Sequence, residues 1–442
     1  MKDQKTPVSV GEARLRQLFD PGTMSELGAY ICRPGQKEER EGVVCGYGAV
    51  DGRLVFAFSQ DAAAMKGALD ARHVKKIVAV YEKAMAVGAP VVGLFDSAGA
   101  VVFDGAEALS AYGELLQVVS DASGVVPQIA VLCGTCAGSM AAVAALFDFT
   151  VAVSGKTQLY VTSPSLLDGK NGSAEYAYEN GNAEILAADE ADAIAKTKTL
   201  LTYLPDDNES GAPEADVTDD PNRVLNLPDR TTAAAALAAV ADNGSFFPLF
   251  DGVTTDTRVG FARFGGVAAA VLCADGELTP AAADKMTAAV RFADAFDLPV
   301  VTLLNLTGTA ADAAAEPHMA AALGRLAYTL AESDSAKVTA VVGAAVGAGF
   351  IFGAPKSLGA DVVLALPGAE IGVLSARAGV AFLWNDRITP EVSREALEAE
   401  WLKTRATAEN AAMTGAVDDV VAPAELRARI VAALYMLCGG GN

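Results

Sequence analysis

The sequence predicts an α/β fold with a mostly parallel sheet, built from two equivalent halves. Two observations support this. Apolar segments of strand length alternate with helix-like segments along the 442-residue chain, and the order of the first half recurs in the second. An offset of 209 residues takes Gly134 to Gly343 and Gly138 to Gly347. Alternation of this kind is typical of parallel sheets covered by helices. We therefore expect two domains, each large enough to bury its own core.

The first predicted domain spans residues 1–230. Its elements are, in order, an amphipathic helix that begins at residue 11 and ends at Asp20-Pro21-Gly22, a charged linker at 35–42, a hairpin over 42–61 with Asp51-Gly52 as its turn, a helix over 73–87, a strand over 90–95, a helix over 105–119, a central strand from Ile129, a strand over 149–154 and an Ala-rich helix that ends near Tyr203. Residues 205–230 are acidic and contain Pro and Gly, which is typical of an exposed linker.

The second predicted domain spans residues 231–442 and repeats the same order. Its elements are a hairpin over 260–276, a helix over 279–296, a strand over 298–308, a helix over 319–331, a second Gly-rich strand and turn over 338–349, and a charged helical tail from Pro390. The repeat predicts that both halves adopt one fold.

Each half contains an apolar strand that ends in a turn of small residues and leads into a helix. The two copies are IAVLCGTCAGSM, Ile129 to Met140, and VTAVVGAAVGAG, Val338 to Gly349. N–H groups at such a helix start lack partners within the helix and bind anions or a developing oxyanion. One such donor is worth on the order of 3 kcal/mol in a reaction barrier, and enolate chemistry fits two sets of them. The alternative is that small residues only allow close packing.

Composition restricts the partners. The net charge of −22 argues against non-specific binding to nucleic acid or to anionic membranes. The uncharged stretch over 129–147 has the length of a membrane span, but its flanks lack a cationic bias. We interpret it as a buried strand followed by a buried helix. Six cysteines without a signal peptide predict free thiols and a cytoplasmic location.

Side-chain chemistry is sparse. The chain has two histidines, His73 and His318, both interpreted as helix-capping or packing residues, and it lacks GxSxG and GxGxxG motifs. Cys133 and Cys136 form one C-x-x-C, a pattern compatible with a redox pair or half of a zinc site but more often with packing. We expect no bound metal. Catalysis would then depend on main-chain amides.

The segments LFDPGTMSELGAY, EGVVCGYGAVDGRLVFAFSQD, GVVPQIAVLCGTCAGS, RFADAFDLPVVTLLN and AEIGVLSARAG lie along nearly the whole chain. In these segments the sequence resembles the biotin-dependent carboxyltransferase family, which comprises carboxyltransferase subunits of acyl-CoA carboxylases and of sodium-pumping acyl-CoA decarboxylases. The resemblance implies tandem crotonase-like domains in dimers, commonly assembled as hexamers, with each active site between the first half of one chain and the second half of another. It implies a coenzyme A thioester as substrate and biotin on a separate biotin carboxyl carrier protein. A biotin carboxylase or a membrane decarboxylase subunit would be a further partner, and the latter would associate the chain with a membrane.

The resemblance also implies residue roles. The N–H groups of Gly138 and Ser139 would hold the enolate oxygen of the thioester, and those of Ala348 and Gly349 the ureido oxygen of biotin. Carboxybiotin would release CO2, the biotin anion would remove the α-proton, and the enolate would attack CO2; the reverse is decarboxylation. The substrate-binding positions implied are Ala98, Gly99, Ala137, Gly347 and Ile351.

The sequence departs from the family pattern at four places. Ala98 and Val101 replace a glycine and an arginine after Asp96-Ser97, Ser139 replaces the second glycine of a pair, a Gly-Gly-Ala stretch is missing after about residue 165, and Leu306-Thr307-Gly308-Thr309 replaces Pro-Gly-Phe. These departures leave open a non-catalytic partner subunit. The identity of the acyl-CoA stays open, and so does the direction of the reaction, since carboxylases and decarboxylases share the same half-reactions. A biotin-independent hydratase or thioesterase is disfavoured, since no Glu adjoins either turn as a base.

Overall fold

A computed structural model describes residues 8–31, 42–167, 169, 171–217 and 219–439. The chain divides into two compact units, Met1–Gly211 and Ala212–Asn442. The predicted charged linker at 35–42 lies, apart from Gly42, outside the described residues.

The first unit is an α/β unit. Its helices are α1 (Val10–Leu18), α2 (Ala71–Val87), α3 (Ala106–Ala122), α4 (Ser139–Ala144), α5 (Ala174–Glu179) and α6 (Glu190–Leu201). Its strands are β1 (Ser25–Leu27), β2 (Val43–Val50), β3 (Arg53–Gln60), β4 (Val91–Ser97), β5 (Gln128–Ala137), β6 (Phe149–Val153), β7 (Gln158–Tyr160) and β8 (Ile185–Ala187).

The second unit repeats this order and then extends it. Its helices are α7 (Ala233–Val240), α8 (Pro280–Ala295), α9 (Glu316–Glu332), α10 (Ala348–Ile351), α11 (Ala376–Leu383), α12 (Arg394–Thr404), α13 (Ala408–Met413) and α14 (Leu426–Cys438). Its strands are β9 (Phe247–Leu249), β10 (Thr257–Phe264), β11 (Val267–Leu278), β12 (Val300–Thr309), β13 (Lys337–Val346), β14 (Val362–Ala365), β15 (Glu370–Gly372) and β16 (Asp419–Val420).

The sheets of the two units have the same topology. The order is β1-β2-β3-β4-β5-β6-β8 in the first, with β7 paired to β5, and β9-β10-β11-β12-β13-β14-β16 in the second, with β15 paired to β13. The first three strands of each sheet are antiparallel and the rest are parallel. The predicted α/β fold in two equivalent halves is therefore confirmed.

Local sequence explains where the elements begin and end. Asp51 and Gly52 have φ of 49° and 81° and form the predicted hairpin turn, which needs left-handed residues at both positions. The Asp70 carboxylate and the His73 ring cap the start of α2 reciprocally, which confirms the capping role of that histidine. Gly88, with φ of 64°, ends the same helix.

Each unit has its own apolar core between its sheet and its helices. In the first, Phe58, Phe95 and Phe147 pack edge to face with ring centroids 5.3–6.5 Å apart. Strands β5 and β13, which lead into the Gly-rich turns, are buried along almost their whole length. The stretch interpreted as a buried strand and helix forms β5 and α4. Among the described residues, no helix combines the length and apolarity needed to cross a bilayer.

The segment predicted as an exposed acidic linker is divided at the boundary between the units. From residue 212 the chain bonds to the second unit: the Ala268 N–H donates to Pro213 O at 3.0 Å, and the Leu225 N–H to Ala424 O at 3.1 Å. The fully buried Arg427 guanidinium donates to the carbonyls of Asp219 and Asp220 at 3.2 and 3.1 Å. The segment is ordered there because it satisfies a buried cation.

Candidate active site

The first Gly-rich turn joins β5 to α4 through Gly138, which has φ of 62° and ψ of −131°. The Gly138 N–H donates to Tyr160 O at 2.9 Å, and the Gly138 carbonyl accepts from the Ala141 N–H at 3.1 Å. Among the described residues, the structure gives no hydrogen-bond acceptor to the N–H groups of Ser139 and Met140. The turn therefore presents two adjacent main-chain donors.

The second turn has the same geometry. Gly347 joins β13 to α10 with φ of 54° and ψ of −119°. Its N–H donates to Gly372 O at 2.9 Å, and its carbonyl accepts from the Phe350 N–H at 3.1 Å. The N–H groups of Ala348 and Gly349 have no acceptor within the described ranges. The two turns are thus equivalent in hydrogen bonding as well as in sequence.

This geometry corrects one of the sequence-based donor assignments. The Gly138 N–H, expected to face a ligand, is already bonded to the short strand β7. The offset of 209 residues pairs Ala348 with Ser139 and Gly349 with Met140. The unpaired donors of the first turn are therefore Ser139 and Met140.

A third turn, after β4, lies beside the first Gly-rich turn. Gly99 has φ of 112°, and a Cβ built on it would lie 3.6 Å from the carbonyl oxygen of Ala137. The Gly99 N–H donates to Ser97 Oγ at 3.1 Å, and the Ala98 N–H to Lys66 O at 3.0 Å. The structure thus places Ala98, Gly99 and Ala137 together. The N–H groups of Ala98 and Gly99 are used in these internal hydrogen bonds.

The replaced family glycines stand where a side chain is tolerated. Ser139 begins α4, and neither Ser139 nor Ala98 is among the described non-glycine residues with positive φ. The glycines that remain, Gly99 and Gly138, do have positive φ. The departures therefore leave the backbone of both loops without strain at the substituted positions.

A buried ion cluster lies under the first turn. Arg14, on α1, is 5% exposed and pairs with Asp96 and Glu190 at 3.1 Å, while Lys156 pairs with Glu190 at 3.1 Å. Burial alone would lower the pKa of Arg14, but the Glu190 hydrogen bond and the adjacent negative charges outweigh it and raise that pKa. The Asp96 carboxylate in turn accepts the Thr135 N–H at 3.3 Å. Sequence analysis did not find this cluster.

The counterpart beside the second turn has an amide in place of the Asp96 carboxylate. Asn305, at the position equivalent to Asp96, donates through Nδ2 to Asp275 Oδ1 at 2.8 Å. Asp275 also accepts the N–H groups of Ala233 and Ala234, at 2.8 and 3.0 Å, at the start of α7. The offset of 209 between Asp96 and Asn305 was the one signal in the sequence that could have revealed both clusters.

A cavity of about 320 Å³ opens on the far side of α4, lined by Ala141, Ala145, Val161, Asn182 and Glu184 among others. Burial raises the pKa of the Glu184 carboxyl to about 7, although it accepts the Thr150 N–H at 2.6 Å. That bond ties Glu184 to the end of β6. The Glu184 carboxylate therefore has a structural role.

Other reactive side chains lie in the core or away from the turns. Cys133 and Cys136 are buried free thiols, and burial raises the pKa of Cys133 to about 12. Among the described residues, no group of three or more His, Cys, Asp or Glu side chains could hold a metal. His318 is exposed near the start of α9. Ile351, the last residue of α10, is 54% exposed.

Two crotonase-like units in tandem, each with the same pair of unpaired amides after its central strand, place this chain in the class of tandem crotonase-like proteins. The carboxyl transferase domain family matches residues 10–439, and the chain belongs to that family. This confirms the resemblance seen in the sequence.

The relatives are named as subunits of an acyl-CoA decarboxylase and of an acyl-CoA carboxylase. The chain is 34% identical to methylmalonyl-CoA decarboxylase subunit alpha of Veillonella parvula, covering 96% of this chain and 89% of the relative. It is 32% identical to the carboxyltransferase subunit of propionyl-CoA carboxylase of Haloferax mediterranei, with the same coverage. Among solved structures, a hexameric transcarboxylase 12S with methylmalonyl-coenzyme A bound has a TM-score of 0.87 at 29% identity, covering 97% of this chain and 90% of that one.

Proposed function

We propose that this chain is the carboxyltransferase subunit that moves a carboxyl group between biotin on a carrier protein and the α-carbon of an acyl-CoA thioester. The paired turns support the proposal most directly, because they supply unpaired N–H donors to two separate oxygen atoms. The relatives named for acyl-CoA carboxylation and decarboxylation support the same reaction.

We assign the first half to the acyl-CoA and the second half to biotin. In the first turn, the N–H groups of Ser139 and Met140 hold the thioester oxygen as it becomes an enolate oxygen. In the second turn, those of Ala348 and Gly349 hold the ureido oxygen of biotin. Biotin held by these N–H groups would supply the carboxyl group and the base for the α-proton. The chain needs no side-chain base, which agrees with the absence of a histidine from both turns.

Substrate binding follows from the same arrangement. Ala98, Gly99 and Ala137 form the wall of the first site, and Gly347 sets the shape of the second. The exposed Ile351 side chain contributes to the acyl pocket and favours an apolar acyl group. Methylmalonyl-CoA, bound in the transcarboxylase structure, is the substrate to test first.

The complex would include partners. We propose a homo-oligomer built from dimers and assembled as a hexamer, with a biotin carboxyl carrier protein delivering biotin. A biotin carboxylase would make it a cytoplasmic carboxylase. A membrane decarboxylase subunit would hold it at a membrane.

The test is carboxyl transfer by the purified chain. Methylmalonyl-CoA and malonyl-CoA are supplied with free biotin, and acyl-CoA products and CO2 are followed with and without biotin. We expect loss of the carboxyl group that depends on biotin. A chain that folds and forms its oligomer, yet is inert with both substrates and with biotinylated carrier proteins, would instead be a non-catalytic partner subunit.

A further inference from the structure

We infer that Asp96 is the positioning residue of the first Gly-rich turn, held in place by Arg14, and that the second turn is positioned by a neutral amide instead. The inference rests on the proposed function only in assigning the first turn to the acyl-CoA. It predicts that one substitution can disturb the acyl side of the reaction while leaving the biotin side intact.

Asp96 lies near the end of β4, beside the last residues of β5. Its Oδ1 accepts the Thr135 N–H at 3.3 Å, and a Cβ built on Gly134 would lie 2.2 Å from the same oxygen. The main chain of β5 that leads into the turn therefore lies directly against the carboxylate. A Cβ built on Gly67 would likewise lie 1.9 Å from the Asp96 carbonyl oxygen. The next residue, Ser97, binds the Gly99 N–H through its hydroxyl.

Arg14 fixes the orientation of that carboxylate. Its Nη2 donates to Asp96 Oδ2 at 3.1 Å, and its Nη1 donates to Gln60 O at 3.1 Å. Its Nε and Nη2 also donate to the two carboxylate oxygens of Glu190 at 3.2 and 3.1 Å. The Gln60 side chain accepts the Asp96 N–H at 3.0 Å. Because the Arg14 guanidinium is bonded to three partners, the Asp96 carboxylate has little freedom to rotate.

The charge of Arg14 also has an electrostatic role. The turn above Asp96 is proposed to stabilise a negatively charged enolate oxygen, and an uncompensated carboxylate beneath it would oppose that charge. The guanidinium at 3.1 Å offsets the Asp96 charge while leaving its oxygen available to the Thr135 N–H.

The second half shows that the fold does not demand a charge at this position. Asn305 replaces Asp96, and a Cβ built on Gly343 would clash with Asn305 Oδ1, so the close approach of this side chain to a glycine of the neighbouring strand recurs. Its Nδ2 binds Asp275, which holds the start of α7. Asp96→Asn in the first half therefore keeps the close approach seen in the second half and gives Arg14 and the Thr135 N–H a neutral amide in place of a carboxylate.

The experiment compares Asp96→Asn with Arg16→Gln. Arg16 lies on α1, the helix that carries Arg14, is exposed and pairs with Glu12, four residues earlier. Hydrogen exchange is measured for the peptide over 133–138 and for its repeat equivalent over 342–347. We expect Asp96→Asn to speed exchange in the first peptide at least tenfold and leave the second unchanged, because an amide holds Arg14 and the Thr135 N–H more weakly than a carboxylate. Arg16→Gln should change neither.

Kinetics supply the second readout. With methylmalonyl-CoA and free biotin, Asp96→Asn should lower kcat/KM for the acyl-CoA by roughly tenfold or more, since misplacement of about 1 Å can cost on the order of 100-fold. KM for biotin should stay within about twofold, because the second turn has its own support. Arg14→Lys, which keeps the charge, should retain more activity than Arg14→Gln.

Three results separate the possibilities. Unchanged exchange at 133–138 in a folded Asp96→Asn variant would overturn the inference, whatever the activity. Equal changes in both KM values, in step with global destabilisation, would also overturn it. A wild-type chain without biotin-dependent turnover would refute the proposed function alone, since the exchange measurement still tests the positioning of the turn.

Discussion

Replacing Gly138 by alanine separates the backbone conformation of the first turn from steric effects. Gly138 has φ of 62° and ψ of −131°, a combination that residues with a Cβ rarely adopt. A Cβ built on it meets no heavy atom within 4 Å. The substitution therefore adds conformational strain without a clash, and any loss of activity reports on the direction of the turn's amides.

The magnitude follows from that strain. A non-glycine residue in such a region costs about 1–3 kcal/mol. The turn relieves the strain by rotating the peptide that carries the Ser139 N–H. Loss of one oxyanion donor raises a barrier by roughly 3 kcal/mol, which is about 100-fold in rate. We expect kcat to fall by about 10- to 100-fold, while the free energy of unfolding falls by no more than about 3 kcal/mol.

The assay combines biotin-dependent turnover of methylmalonyl-CoA with urea unfolding. The matched control is Gly113→Ala, because Gly113 is exposed within α3 and a Cβ there also meets nothing within 4 Å. The control should gain about 0.5–1 kcal/mol in stability and keep its turnover. A Gly138→Ala protein that is destabilised yet turns over at the wild-type rate would refute the assignment of catalysis to this turn.

Three further predictions concern the second turn, the acyl pocket and pH. Gly347→Ala should raise KM for biotin and leave acyl-CoA binding, measured by calorimetry, unchanged. The reason is that residue 347 has positive φ and that a Cβ there would lie 3.1 Å from Val373 O. Weaker acyl-CoA binding would contradict the assignment of the second turn to biotin. Ile351→Asp should shift the preference among acyl-CoA substrates, read as kcat/KM ratios, and change stability by less than about 0.5 kcal/mol since the side chain is exposed; unchanged ratios would exclude Ile351 from the pocket. Burial raises the pKa of Asp148 from 3.8 to about 7, even though the carboxylate accepts the Gln128 N–H. The folded state therefore favours the protonated form of Asp148. The contribution of Asp148 to the free energy of unfolding is fully present below about pH 4 and is lost as the pH rises to about 7. In Asp148→Asn, the free energy of unfolding should decrease less between pH 4.5 and 8 than in the wild type. An unchanged pH dependence would refute the assignment of this decrease to Asp148.

The fold could be predicted from the sequence because its signals are local. The hairpin turn at Asp51-Gly52 and the helix over residues 73–87 depend on neighbouring residues, and the structure confirms both. The repeat then fixed the equivalence of Gly138 and Gly347 before any contact was known. A constant offset is informative because each half must bury the same faces to fold in the same way.

The parts of the candidate site that the sequence did not reveal depend on contacts between distant residues. Arg14 lies 82 residues before Asp96 and 176 before Glu190, and no periodicity connects them. The Gly138 N–H is taken by Tyr160, on a three-residue strand too short to show a pattern. For that reason the sequence does not show that the Gly138 N–H has a main-chain partner.

The central claim is that single main-chain N–H groups in the two turns stabilise the reacting oxygens. It is tested most directly by replacing one amide with an ester. Lactic acid incorporated at position 139, compared with Ser139→Ala, removes the N–H alone, and lactic acid at Ala145 removes a donor that is bonded to Ala141 O at 3.1 Å. We predict that the ester at 139 lowers biotin-dependent turnover about 100-fold with little loss of stability, while the ester at 145 mainly affects stability. Wild-type turnover with the ester at 139 would contradict the account.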